Sequence, residues 1–156
     1  MMTERTDPAA EVRTAAATLV AAFGRNDLEE YLGCFRADAT FLFHTTGRLL
    51  TSREEYRQEW SSWVRDDDFR VLGCETSGTH VQVLGDTAVL THAVHTTVST
   101  RAGREELRER ETIVFTREPS GRWPGTPRPA PPPARWPGPT EPRSPPAPWV
   151  TGRSLR

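Results

Sequence analysis

Residues 85–123, GDTAVLTHAVHTTVSTRAGREELRERETIVFTREPSGRW, decide the fold of this chain. Gly85-Asp86 is a tight-turn dipeptide between apolar-alternating runs. Thr87–Thr100 and Glu105–Arg117 then read as two long arms around the turn Arg101-Ala102-Gly103-Arg104. On the first arm Ala88, Leu90, His92, Val94, Thr96 and Val98 share one face. On the second, Leu107, Glu109, Glu111, Ile113 and Phe115 do the same. These more apolar faces should look inward, which makes His92 and Glu111 polar groups on otherwise apolar surfaces. Pairing the arms about Ala102-Gly103 sets Val94 opposite Glu111, with His92 diagonal to it and within side-chain reach. Ser120-Gly121 turns the chain again and Arg122-Trp123 opens a further strand, but Pro124 follows.

Upstream, the pattern is helical. Asp7-Pro8 is an N-cap followed by proline at the first helical position, and Val12, Ala16, Leu19, Val20 and Phe23 form an apolar stripe that ends at Gly24. Asn26-Asp27 starts a short second helix with Leu28, Tyr31, Leu32 and Phe35 on its inner face. Thr40–His44 is a β-type run, and Leu49-Leu50 is a short returning strand. Ser52-Arg53-Glu54-Glu55 is a capping box that opens a third helix. On that helix Trp63 and Val64 read as core, whereas Tyr56 and Trp60 are candidates to face a cavity, since a buried hydroxyl or indole N–H needs a partner. Phe69–Cys74 and His80–Leu84 read as one long strand interrupted at Ser77-Gly78.

The 156 residues suffice for one domain with a core. The first 123 residues hold 15 arginines against 20 acids, and an acidic body of this kind argues against a nucleic-acid surface. Lysine is absent, and isoleucine and asparagine occur once each, a usage that points to a GC-rich, bacterial genome. No apolar signal core or membrane-length run appears, so the expected location is cytoplasmic. Cys34 and Cys74 are isolated and read as ordinary thiols. His92 and His95, three apart on a strand, point to opposite faces and cannot chelate together. Asp66-Asp67-Asp68 reads as solvated carboxylates at a helix end. No metal site and no cofactor are assigned.

Three motifs in order resemble the SnoaL-like branch of the nuclear transport factor 2-like superfamily. They are Asp27-Leu28-x-x-Tyr31-Leu32-x-x-Phe35 with Asp38-Ala39-Thr40-Phe41, then Gly85-Asp86-x-Ala88-Val89-Leu90, then Glu111-Thr112-Ile113-Val114-Phe115-x-Arg117 with Gly121-Arg122-Trp123. The last is also similar to the association domain of calcium/calmodulin-dependent kinase II. The resemblance implies an α+β fold, a cone-shaped curved antiparallel sheet wrapped around N-terminal helices, with a pocket inside. It further implies a polyketide cyclase, isomerase or dehydratase, or a non-catalytic binding or dimerisation module. Homodimers through the outer sheet face are common in the family. The chain departs from the ketosteroid isomerases, whose general-base aspartate falls on Phe43 and whose oxyanion tyrosine falls on Leu19. Neither residue can perform that chemistry.

A second departure is the end of the chain. Residues 1–123 read as the domain and 124–156 as a disordered tail, with the family's final strand lost. Twelve of the 14 prolines lie beyond Trp123, and proline removes ladder donors. Pro, Arg, Gly and Ala are what GC-rich codons give out of frame, which reads as a frameshift; a proline-rich ligand for aromatic-grooved domains is the alternative.

The candidate acid/base pair is His92 with Glu111, since an imidazole beside a partly buried carboxylate can exchange protons near neutral pH. The same two groups also read as a structural pair in which each satisfies the other in the core. Phe41, Phe43, Tyr56, Trp60, Val94 and Ile113 are the candidate walls of an apolar pocket for a small apolar or aromatic molecule.

Overall fold

The computed structural model describes residues 6–43 and 46–128. Residues 1–5, His44, Thr45 and the chain from 129 onward lie outside the described residues.

Three helices come first. Helix α1 (Pro8–Gly24) begins where the Asp7 carboxylate accepts the N–H of Ala9, and it buries Val12, Ala16, Leu19, Ala22 and Phe23. Asn26 turns the chain at a φ of 60°, and Asp27 caps α2 (Leu28–Gly33) by accepting from the Glu30 N–H. Helix α3 (Arg53–Asp67) starts with the Ser52 hydroxyl accepting from the Glu55 N–H. The Glu55 carboxylate reaches back one residue further than a capping box requires, to the Thr51 N–H at 2.7 Å. Asp68, at a φ of 53°, ends α3, with its N–H on the Val64 carbonyl and that of Phe69 on the Trp63 carbonyl. Trp63 is buried as expected, but Val64 is 43 % exposed. At 3.6 residues per turn Val64 lies about 80° around the axis from Tyr56, which carries it off the buried stripe of Tyr56, Trp60 and Trp63.

The strands form two sheets. β1 (Phe41–Leu42) pairs with β2 (Leu49–Leu50) in a small hairpin. The larger antiparallel sheet has the order β3-β4-β5-β6, with β3 at Arg70–Leu84, β4 at Thr87–Thr100, β5 at Gly103–Thr116 and β6 at Gly125–Arg128. β3 changes register at Val71/Gly73 and again at Ser77/His80, the second where Gly78 takes a φ of 61°. The turn between β4 and β5 is two residues, Arg101 and Ala102, so Thr100 faces Gly103. This sets the register two residues away from pairing about Ala102-Gly103. His92 therefore stands directly opposite Glu111 rather than diagonal to it, and Val94 faces Glu109. A shift of two preserves which side chains face inward.

The sheet continues past Trp123, where the sequence pattern places no strand. β6 pairs Gly125 with Phe115, Thr126 with Val114, Pro127 with Ile113 and Arg128 with Thr112. The proline is tolerated because of where it falls in the ladder. The Gly125 N–H turns away from β5 and donates to the Cys34 carbonyl at 3.0 Å. By the two-residue alternation of an antiparallel pair, Pro127 occupies the same outward-facing position, so β5 loses no donor. Trp123 is buried ahead of this strand, its Nε1 donating to the Glu11 carboxylate of α1 at 2.9 Å.

The core lies between the helices and the inner face of β3–β6. Its helical side is a run of aromatic rings from α1, α2, β1 and α3, in mostly tilted and edge-on contacts. Among the described residues no helix is long and apolar enough to cross a membrane.

Candidate functional site

Alternation on β4 and β5 builds the site. Ala88, Leu90, His92, Val94, Thr96 and Val98 are all buried, whereas Thr91 on the opposite face is exposed. Across the ladder Leu90 faces Ile113, His92 faces Glu111 and Val94 faces Glu109. His92 Nε2 lies 3.1 Å from Glu111 Oε1, with side-chain exposures of 2 % and 12 %. The two-residue turn thus converts two polar residues on separate arms into one contact pair. With the imidazole neutral and Nε2 protonated, Nε2–H donates to the carboxylate and Nδ1 is left as a base. With both nitrogens protonated the pair is an ion pair. Such a pair can give up or take one proton without either group leaving its place.

The other candidate residues fall in two groups. Val94 and Ile113 flank the pair, each two residues along its strand, and are 6 % and 0 % exposed. Phe41, Phe43, Tyr56 and Trp60 are buried together on the helical side of the core. Their ring centroids lie 4.6 Å apart for Phe41 and Tyr56, 4.9 Å for Phe43 and Tyr56, and 6.1 Å for Tyr56 and Trp60. The Tyr56 hydroxyl meets its polar need at the hydroxyl of Tyr31, 3.5 Å away. The Trp63 indole N–H donates to Glu59.

Two further inner-face residues belong to the site's surroundings. Glu109 is half-buried opposite Val94, two residues from Glu111 on the same face. Thr96 is fully buried, and its hydroxyl donates to the Cys74 thiol at 3.7 Å. Strand alternation alone already placed both on this face. Arg108 and Arg110 alternate to the outer face and are exposed. Cys34 and Cys74 are not joined in a disulfide, and no group of three or more His, Cys, Asp or Glu among the described residues could hold a metal ion.

The family profile described as SnoaL-like domain matches residues 12–124. A search of the curated proteins gives no match. Among solved structures, the chain is similar to a ketosteroid isomerase-like protein from Erwinia carotovora atroseptica, at 20 % identity and a TM-score of 0.62, covering 78 % of this chain and 92 % of that one. It is also similar to a candidate dehydratase of the NTF2-like family from Streptomyces avermitilis, at 21 % identity and a TM-score of 0.56, covering 78 % and 96 %. A protein of unknown function from Mycobacterium tuberculosis shares 23 % identity, with a TM-score of 0.60 over 76 % and 74 % of the two chains. At these identities the likeness is one of fold.

Proposed function

The chain belongs to the SnoaL-like family, and from that premise we propose that it binds a small apolar or aromatic molecule inside its cone and acts on it by general acid/base chemistry. The observation that carries this reading is the His92–Glu111 contact, 3.1 Å long and almost wholly withdrawn from solvent on a mainly apolar sheet face. A proton-exchanging pair against an apolar wall suits abstraction and return of a proton at carbon or oxygen, the step shared by cyclase, isomerase and dehydratase reactions. Val94 and Ile113 form the wall beside the pair, and Phe41, Phe43, Tyr56 and Trp60 form the far, helical side. The isomerase arrangement itself is not used, since Phe43 and Leu19 are apolar and buried.

The test begins with flat polyketide-like and steroid-like compounds, screened by thermal shift and then followed for conversion by mass spectrometry. For a converted compound, His92→Ala and Glu111→Gln each lower turnover by about 10²-fold or more, while binding changes little. Undiminished turnover in both variants would refute the acid/base roles.

A second reading, a non-catalytic binding module, is favoured by the mutual hydrogen bond of His92 and Glu111 and the ring-on-ring packing of the aromatic candidates. Ligands that stabilise the protein but are recovered unchanged select it. The protein is proposed to act as a cytoplasmic homodimer in either case. Sedimentation at micromolar concentration checks the dimer, and a monomer there rejects it.

A further inference from the structure

β6 covers only part of its neighbour. It pairs with β5 from Thr112 to Phe115, and no other described strand lies on that side of β5 along Gly103–Glu111. The backbone groups that point to this side belong to alternate residues. The Thr116 N–H donates across it to the Pro124 carbonyl, so by alternation Arg104, Glu106, Arg108 and Arg110 present their N–H and C=O groups to it as well. An edge of this length is a template for another extended chain. β6 runs antiparallel to β5, so its direction at Arg128, opposite Thr112, leads along this edge towards Glu111. In the sequence 28 residues follow Arg128.

The first eight of them, Pro129-Ala130-Pro131-Pro132-Pro133-Ala134-Arg135-Trp136, suit the edge in the register β6 has already set. Pro127 occupies a position whose N–H side turns away from β5. Pro129, Pro131 and Pro133 share that parity and would cost no ladder donor, and only Pro132 falls at a donating position. The register that sets Arg128 against Thr112 sets Ala130 against Arg110, Pro133 against half-buried Leu107, Arg135 against Glu105 and Trp136 against Arg104. The last three are favourable cross-strand pairs: apolar on apolar, opposite charges, and a guanidinium beside an indole. A second copy of the same edge fits worse. Two-fold pairing centred on Leu107 sets Arg104 against Arg110 and Glu105 against Glu109, and centring on any other residue from 104 to 110 sets a charge against its own copy.

We propose that residues 129–136 of this chain extend β6 along the open edge of β5. Residues opposite each other in a ladder share a face, so Pro129 stands beside Glu111 and Pro131 beside Glu109 on the inner side of the sheet. The two rings add a stiff apolar wall to the site on its β5 flank and shield the His92–Glu111 pair from water there. The placement does not depend on any chemistry of that pair.

The test is amide hydrogen exchange of the full chain, followed by ¹⁵N-resolved NMR. The Glu106 and Arg110 amides should exchange about tenfold or more slower than in the urea-unfolded chain, and equally at all protein concentrations. Ala130→Pro removes the donor opposite Arg110 and returns the Arg110 amide to near the unfolded rate. Pro129→Ala, at a position that donates nothing to β5, leaves the protection of Arg110 unchanged. The Val114 amide, whose residue is paired with Thr126, reports whether each variant keeps β6 folded. If Ala130→Pro loses Val114 protection, the rates in the parent chain and their independence of dilution decide the matter. Unprotected Glu106 and Arg110 amides in the parent chain, or protection that survives Ala130→Pro, would overturn the proposal. So would protection that falls on dilution, since it would put a second copy on the edge.

Discussion

Replacing Gly125 by alanine tests how the end of the chain is held. The backbone at Gly125 has no positive φ, so the added methyl acts by contact alone. Its Cβ would lie 3.0 Å from Ile113 Cγ2 and 3.4 Å from ring carbons of both Phe115 and Phe35. Those three side chains are 0 %, 1 % and 2 % exposed, so none can swing into solvent. A close-packed interior must instead shift a strand or force a rotamer, which costs about 1–3 kcal/mol. With an unfolding entropy of roughly 2.1 cal/mol/K per residue over about 120 folded residues, that is a fall in Tm of about 4–12 °C. Scanning calorimetry reads it directly. Gly33→Ala is the matched control, because a Cβ there meets nothing within 4 Å at the end of α2. It should hold or raise Tm slightly through its smaller unfolded-state entropy. Equal melting of Gly125→Ala and the parent protein would refute the packing of β6 against β5 and Phe35.

Other changes read other parts of the structure. Trp123→Phe removes the indole N–H that donates to Glu11 and leaves a smaller ring beneath the Arg117 guanidinium, which lies 5.9 Å from the indole centroid, and should cost about 1–3 kcal/mol in urea unfolding. Trp63→Ala should cost about 3–5 kcal/mol whereas Val64→Ala stays near about 0.5 kcal/mol or below, which chemical denaturation of the two variants separates. Burial, with Glu30 adding to it, pushes the Cys34 thiol above its ordinary value of 9.0, so alkylation at pH 8 should run slower than for an unfolded-chain thiol. Because that value is raised on folding, the associated stability is intact below pH 9 and is lost as pH climbs through the folded-state value, a trend that a melting series from pH 8 to about 11 follows. Equal alkylation rates in folded and urea-unfolded protein would contradict the burial of Cys34.

Much of this architecture is local and therefore legible in the sequence. Asp7-Pro8, Asp27 and Ser52 start the helices the structure shows, because a capping carboxylate or hydroxyl needs only the next turn of its own backbone. β4 occupies Thr87–Thr100, and its alternation identifies the inward face of His92 without further information. The interruption at Ser77-Gly78 is likewise carried by one glycine. Val64 was less legible, because a β-branched apolar residue next to Trp63 fits the stripe by type while lying off it by angle.

Position relative to other strands is another matter. That His92 faces Glu111 squarely depends on the turn closing over Arg101 and Ala102, and a hairpin's register is a property of both arms and their neighbours together. That Pro127 can sit in a ladder depends on which way each N–H of β6 points, and that direction is set by the Cys34 carbonyl, more than 90 residues earlier in the chain. Sequence alone thus determined the three helices, their caps and the inward face of the long hairpin, since each is decided by side-chain periodicity and contacts within a turn or two. Only the tertiary structure decided the His92–Glu111 contact and the survival of a last strand past Trp123. Each of these depends on backbone groups brought together from distant parts of the chain, and no local pattern encodes their distance.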